Sequence, residues 1–148
     1  MEQKRAIIYT RTSTHQQQDN IQLDALTEMA HRSGYKMLDP IKDLGVSGGY
    51  TGRQRDGMKK LMMMVDRKEV DVVMVYSIDR IGRNLSDVLS LVKTLEEKGV
   101  ALVIHKQAID TSDTFGKTLI GFFALVAEFE KDLIGSRVRD GIASARAR

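Results

Sequence analysis

Ala6-Ile7-Ile8-Tyr9-Thr10-Arg11-Thr12-Ser13-Thr14 decides how this chain is read, and Val72-Val73-Met74-Val75-Tyr76-Ser77-Ile78-Asp79-Arg80-Ile81-Gly82-Arg83 repeats its form further on. Each is a short apolar run that opens into a polar cluster. Runs of this kind read as strands buried on both faces of a sheet. Two such strands lying parallel and adjacent would bring both clusters to the carboxyl edge of one sheet, where open α/β folds place their sites. The hydroxyl of Ser13, the guanidinium groups of Arg11, Arg80 and Arg83, and the carboxylate of Asp79 would then meet.

Working outward, strand one covers residues 4 to 9 and a polar loop covers 10 to 18. Asp19 can cap a helix from about residue 20 to 33, which Gly34 ends. Tyr35 to Ile41 is a less regular strand, and Pro40 within it predicts an edge position. From Asp43 the chain enters a glycine-rich loop, Gly45 to Gly52. The spacing then predicts a helix over 56–68, a strand over Val70 to Tyr76, a helix over Leu85 to Lys98 stopped by Gly99, and a strand over Val100 to His105. A polar stretch, Lys106 to Asp113, precedes a last helical pattern. Strands alternating with helices predict an α/β fold with a mostly parallel central sheet and helices on both faces. We divide the chain into a core over 1–112 and a long helix of the same domain over 113–148.

That last pattern runs from Thr114 to about Ala147, with Phe115, Leu119, Phe122, Phe123, Val126, Phe129, Leu133, Val138 and Ile142 three or four apart. A domain of 148 residues cannot bury so long a helix along its whole length. Its apolar face needs a partner, which predicts a homodimer or higher oligomer built on this helix, with Phe122 and Val126 in the contact.

Composition narrows the classes. Hydrophobic content of 42% and charged content of 29% are ordinary for a globular protein. With no cysteine, disulfides and thiolate metal sites are excluded. The carboxylates do not cluster with histidines, so no metal or other cofactor is expected. Neither G-x-G-x-x-G nor G-x-x-x-x-G-K-[ST] occurs, which argues against a nucleotide. The apolar run after Met-Glu-Gln-Lys-Arg is too short for a signal peptide or membrane span, and a cytoplasmic location fits. The net charge of +3 lies wholly beyond residue 134, where Arg137, Arg139, Arg146 and Arg148 face Asp140 alone. Such a tail suits a phosphate backbone.

A serine hydroxyl is a weak nucleophile until its proton leaves and its target is made electrophilic. Guanidinium groups bind phosphate oxygens in pairs and stay charged at any working pH. The set around Ser13 therefore suits phosphodiester chemistry, with transition-state charge stabilised by the arginines.

Tyr9-x-Arg11-x-Ser13-Thr14 followed by Gln22, then Asp79-Arg80-x-Gly82-Arg83, then Ala127-Glu128-Phe129-Glu130, together resemble the catalytic domain of serine recombinases, the resolvases and invertases. The resemblance runs from about Lys4 to Arg146. It implies that Ser13 attacks a phosphodiester of double-stranded DNA, joins to the 5′ phosphate and releases a 3′ hydroxyl, with strand exchange and religation to follow. It implies that Arg11, Arg80 and Arg83 bind the scissile phosphate, and that Asp43 and Arg55 reach the active site from the glycine-rich loop, with Arg53 competing for the latter role. Asp79 either orients an arginine or gives a proton to the leaving 3′ oxygen. Glu130 matches a glutamate that supports subunit contacts and the site; the next residue, Lys131, replaces the usual arginine and loses its bidentate fork. The family implies a dimer that forms a tetramer across two DNA sites, and a DNA-binding region beyond the long helix that this chain would lack.

The competing class is a non-catalytic, anion-binding dimerisation or regulatory module on a flavodoxin-like fold. Gly45-Val46-Ser47-Gly48-Gly49 also satisfies the G-x-S-x-G pattern of hydrolases, but Tyr50-Thr51-Gly52 prolongs the loop where that pattern needs a helix.

Overall fold

The computed structural model describes residues 3–12, 16–44, 56–81 and 85–123, together with 125, 126, 129 and 133 of the last helix. Strand β1 (Arg5–Thr12) is the spine of the sheet. Along one side it pairs with β2 (Lys36–Met37) at its start and with β3 (Ile41–Leu44) at its end, both parallel. Leu38-Asp39-Pro40 separates the two, and proline has no amide to give a ladder, so this edge is one interrupted strand. Along the other side β1 pairs in parallel with β4 (Val72–Val75), Ala6 opposite Val72 and Ile8 opposite Met74. Strand β5 (Ala101–Ile104) follows in parallel, and β6 (Ile109–Asp110) closes the far edge antiparallel.

Alternation along the strands divides the core in two. Ala6, Ile8, Val72, Met74 and Val103 pack on Leu26 and Ala30 of helix α1 (Gln16–Arg32). Ile7, Tyr9, Val73, Val75, Leu102 and Ile104 face the other way, onto helices α2 (Asp56–Asp66) and α3 (Leu85–Glu97), which contribute Leu61, Val65, Val88, Val92 and Leu95. Gly34 and Gly99, expected to stop helices, both have φ of +74°, the left-handed conformation that ends a helix at little cost only in glycine.

Helix α4 begins at residue 114. Asp113 caps it, its Oδ1 accepting the amide of Gly116 at 2.6 Å. A Cβ on Gly116 would overlap the backbone carbonyl of Asp110, so the root of α4 lies directly against β6. Ile120 enters the core with Leu119 and Phe123 packed beside it. Phe115, Phe122, Leu125, Phe129 and Leu133 form a second stripe, rotated roughly a third of a turn from the first, and all are exposed. The positions beyond 133, including Val138, Ile142 and the tail arginines, lie outside the described residues.

The mixed α/β architecture with a mostly parallel sheet is as expected; several boundaries are not. Strand β1 continues to Thr12 and α1 starts at Gln16, so the loop expected over 10–18 is far shorter. Asp19 is not the cap of α1 but sits in its first turn, where a negative charge still favours the helix amino end. Asp43 and Leu44, read as loop, are strand residues. The stretch read as a polar connection from Lys106 contains β6.

Candidate phosphate-binding site

Because β1 and β4 are parallel neighbours, their carboxyl ends emerge side by side. Arg11 is the penultimate residue of β1. After β4 the chain turns sharply: Ser77, extended and buried, leads into a 3₁₀ turn over Ile78–Arg80, in which the amide of Arg80 donates to the Ser77 carbonyl at 3.1 Å. Ile81 is buried in the core and anchors the turn. Arg80 is thereby aimed back across the sheet edge, and its Nη1 donates to the backbone carbonyl of Arg11 at 3.0 Å. Two motifs far apart in sequence are thus joined directly.

Asp43 stands on the other flank of β1, in register with Arg11. It is only 4% exposed. One oxygen, Oδ2, accepts the Tyr9 hydroxyl at 2.5 Å and the amide of Met58 at 3.0 Å; the other, Oδ1, accepts the amide of Gly57 at 2.6 Å. The first amides of a helix have no partner within it, and a carboxylate there also meets the positive end of the helix dipole. Asp43 therefore caps α2 from across the sheet. Gln22 lies in the second turn of α1, half-buried.

The structure thus brings together Arg11, Arg80 and Asp43 and puts Gln22 on the helix that follows β1. Ser13, Arg83, Arg55, Arg53, Glu130, the Gly45–Gly49 pattern and the side chain of Asp79 lie outside the described residues; Ser13 follows Thr12, the last residue of β1, and the backbone of Asp79 lies in the 3₁₀ turn. Phe122 is 59% exposed and Val126 half-buried on α4.

Tyr9 entered the sequence reading only as a motif and strand residue, and neither it nor Gly57 was given a role of its own. Tyr9 sits at the same strand parity as Ile7 and Arg11, which was signal enough to aim it at the α2 face; the partner of its hydroxyl, Asp43, lies 34 positions away and had no local signature.

At the opposite, amino-terminal edge of the sheet lies an open depression of ≈ 910 Å³, lined among others by Lys4, Arg5, Lys36, Asp71 and Lys117. It is remote from the clusters at the carboxyl edge. Arg5 and Asp71 close on each other there at 3.1 Å, and Arg5 also gives its backbone amide to Asp71 and an Nη2 hydrogen to the Lys68 carbonyl. Hydrogen bonds from Arg5 hold the Asp71 carboxyl below its ordinary range. Asp71 directly precedes β4.

The description of the resolvase N-terminal domain family matches residues 6–148. The chain is 33% identical over 140 residues to a resolvase/recombinase of Pseudomonas putida, covering 95% of this chain and 72% of that protein. It is 32% identical to a DNA-invertase of Enterobacteria phage P7, covering 94% of this chain and 69% of the relative. Among solved structures, the N-terminal catalytic domain of TP901-1 integrase superposes with a TM-score of 0.75 at 34% identity, over 88% of this chain and 98% of that one. A resolvase-family site-specific recombinase from Streptococcus pneumoniae does so with 0.78 at 26% identity, over 99% of this chain and 100% of that one.

Proposed function

This chain belongs to the family of resolvase N-terminal domains, the catalytic domains of serine site-specific recombinases, and from that premise we propose that Ser13 is its nucleophile on DNA. The Ser13 Oγ attacks the phosphorus of a phosphodiester, the bond from phosphorus to the 3′ oxygen breaks, and the departing oxygen takes up a proton. The product is a serine ester of the 5′ phosphate beside a free 3′ hydroxyl. Attack by a 3′ hydroxyl on that ester reverses the step with a new strand. One ester replaces another throughout, so no cofactor is consumed.

Arg11, Arg80 and Arg83 bind the scissile phosphate and take up the charge that grows on its oxygens. Arg55 and Gln22 complete the site. Asp79 either orients one of these arginines or protonates the 3′ oxygen. The observation that carries this reading is the bond from Arg80 to the Arg11 carbonyl, which supports one phosphate site built from two motifs.

The working unit is a homodimer that pairs into a tetramer on two DNA sites in the cytoplasm. Supporting this, the outer stripe of α4 leaves Phe122 and Phe129 59% and 66% exposed, as apolar residues awaiting a partner are. Phe122→Asp should leave the melting temperature unchanged and abolish assembly and recombination; full recombination by that variant would refute the arrangement.

The direct test joins the chain to a sequence-specific DNA-binding module, supplies supercoiled DNA with two cognate sites, stops the reaction with denaturant and looks for protein on 5′ ends. An adduct formed with Ser13 and absent with Ser13→Ala establishes nucleophile and polarity together. A folded, DNA-bound protein that makes no adduct moves the non-catalytic module to first place.

A further inference from the structure

Asp43 combines features that do not suit direct contact with DNA. A carboxylate facing a phosphate would repel it, with Coulomb energies that grow as water is excluded. Asp43 is buried, and both its oxygens accept hydrogen bonds within the fold, among them those from the Tyr9 hydroxyl and the amides of Gly57 and Met58. Its charge faces the amino end of α2.

We infer that Asp43 is a positioning residue: its carboxylate closes a buried clasp between the Tyr9 hydroxyl and the first amides of α2, and so fixes the edge of the sheet on which Arg11 stands. This rests on the reading above that Arg11 binds the phosphate. The geometry explains why a clasp is needed. Strand β3 is four residues long, separated from β2 by Pro40, and lies at the sheet edge, so a short ladder and the buried side chain of Ile41 hold it to the end of β1. From the β4 side, Arg80 ties down the Arg11 carbonyl. From the β3 side, Asp43, in register with Arg11, ties β3 to Tyr9 of β1 and to α2. Arg11 stands between the two ties.

Gly57 supplies an independent observation. A Cβ there would come within 2.6 Å of Asp43 Oδ1 and 2.7 Å of Ile41 Cγ2. The requirement is for space, not for an unusual φ. The amino end of α2 approaches β3 as closely as it does only because residue 57 has no side chain.

Two measurements test this. The first is amide hydrogen exchange in the chain itself. Asp43→Asn removes the charge facing α2 and turns one acceptor oxygen into a donor, so it should speed exchange at Gly57 and Met58 about tenfold, the scale of a lost hydrogen bond to a charged group. Unchanged exchange at those two amides would overturn the clasp whatever the activity. The second is the single-turnover rate of 5′ adduct formation by the intact protein at saturating DNA. Tyr9→Phe, which keeps the carboxylate and should keep the fold, is expected to slow this step about tenfold without weakening DNA binding, as loss of a hydrogen bond to a charged group would. Adding Asp43→Asn to it should cost no more than Asp43→Asn alone, because the two act through one clasp.

A DNA substrate with sulfur in place of the bridging 3′ oxygen separates positioning from proton transfer. Sulfur leaves without a general acid, so if Asp43 gave the proton, this substrate would restore Asp43→Asn; a positioning role predicts no restoration. Restoration, or a Tyr9→Phe enzyme as fast as wild type, would sink the inference. A wild-type protein that makes no adduct would instead defeat the functional reading, and hydrogen exchange would still decide the clasp.

Discussion

The two ends of strand β1 carry the same residue types and use them in opposite ways. At the amino end Arg5 faces Asp71, and the guanidinium is neutralised on the spot by a carboxylate and a carbonyl. At the carboxyl end the arginine that crosses the sheet, Arg80, bonds a neutral carbonyl, while the nearby carboxylate, Asp43, turns to helix amides and a hydroxyl. The first arrangement is a staple between β1 and the residue before β4. On the proposed reading, the second leaves the Arg80 guanidinium at the sheet edge for an incoming anion. What separates Arg5 from Arg80 is the partner each has been given, a carboxylate in one case and a neutral carbonyl in the other.

Removing one arginine from each end separates the two arrangements most clearly. Arg80→Ala should slow 5′ adduct formation a hundredfold or more, about 3 kcal/mol of transition-state stabilisation, with little change in melting temperature. Arg5→Ala should do the reverse. It loses an ion pair and a carbonyl bond at a partly exposed site, about 1 kcal/mol, or roughly 4 °C of melting temperature, while cleavage per folded molecule stays at the wild-type level. If Arg5→Ala slows cleavage as Arg80→Ala does, the two ends are not separate in function.

The smallest effect concerns protons. Asp71 has its folded pKa lowered by Arg5, so its contribution to stability is complete above the unfolded value, near 4, and is lost as pH falls through the lower folded value. Thermal melts of wild type and Asp71→Asn should therefore differ at pH 7 and converge in acid, once the folded carboxyl is protonated. With the pair more than a third exposed, the gap at neutral pH should amount to only a few tenths of a kcal/mol. A gap that widens in acid would mean that the pair is not what lowers the pKa.

Much of the fold was legible because it is written locally. Val72-Val73-Met74-Val75 is apolar at every position, as a strand covered on both faces requires, and Gly34 and Gly99 stop helices by their own backbone preference. What stayed hidden depends on distant partners. Asp43-Leu44 looked like the start of a loop because an aspartate in a strand is locally unfavourable; it is tolerated there by hydrogen-bond donors 34 positions before and 14 and 15 positions after it. Three glutamines at the start of α1 carry no periodicity, and two-residue β6 is too short to show one. The site followed the same rule. That Arg11 and Arg80 would share an edge was readable from two strand ends, whereas the orientation of Asp43 into the fold was not.

The angular separation of the two apolar stripes on α4 has a bearing on inheritance. Ile120 and its neighbours answer to the core, whereas Phe115, Phe122, Leu125, Phe129 and Leu133 answer to whatever lies outside. Substitutions in the outer stripe can drift without disturbing folding, so two descendants of one gene can stop recognising each other while both remain stable. If the proposed assembly holds, self-recognition and stability are separable traits carried by a single helix.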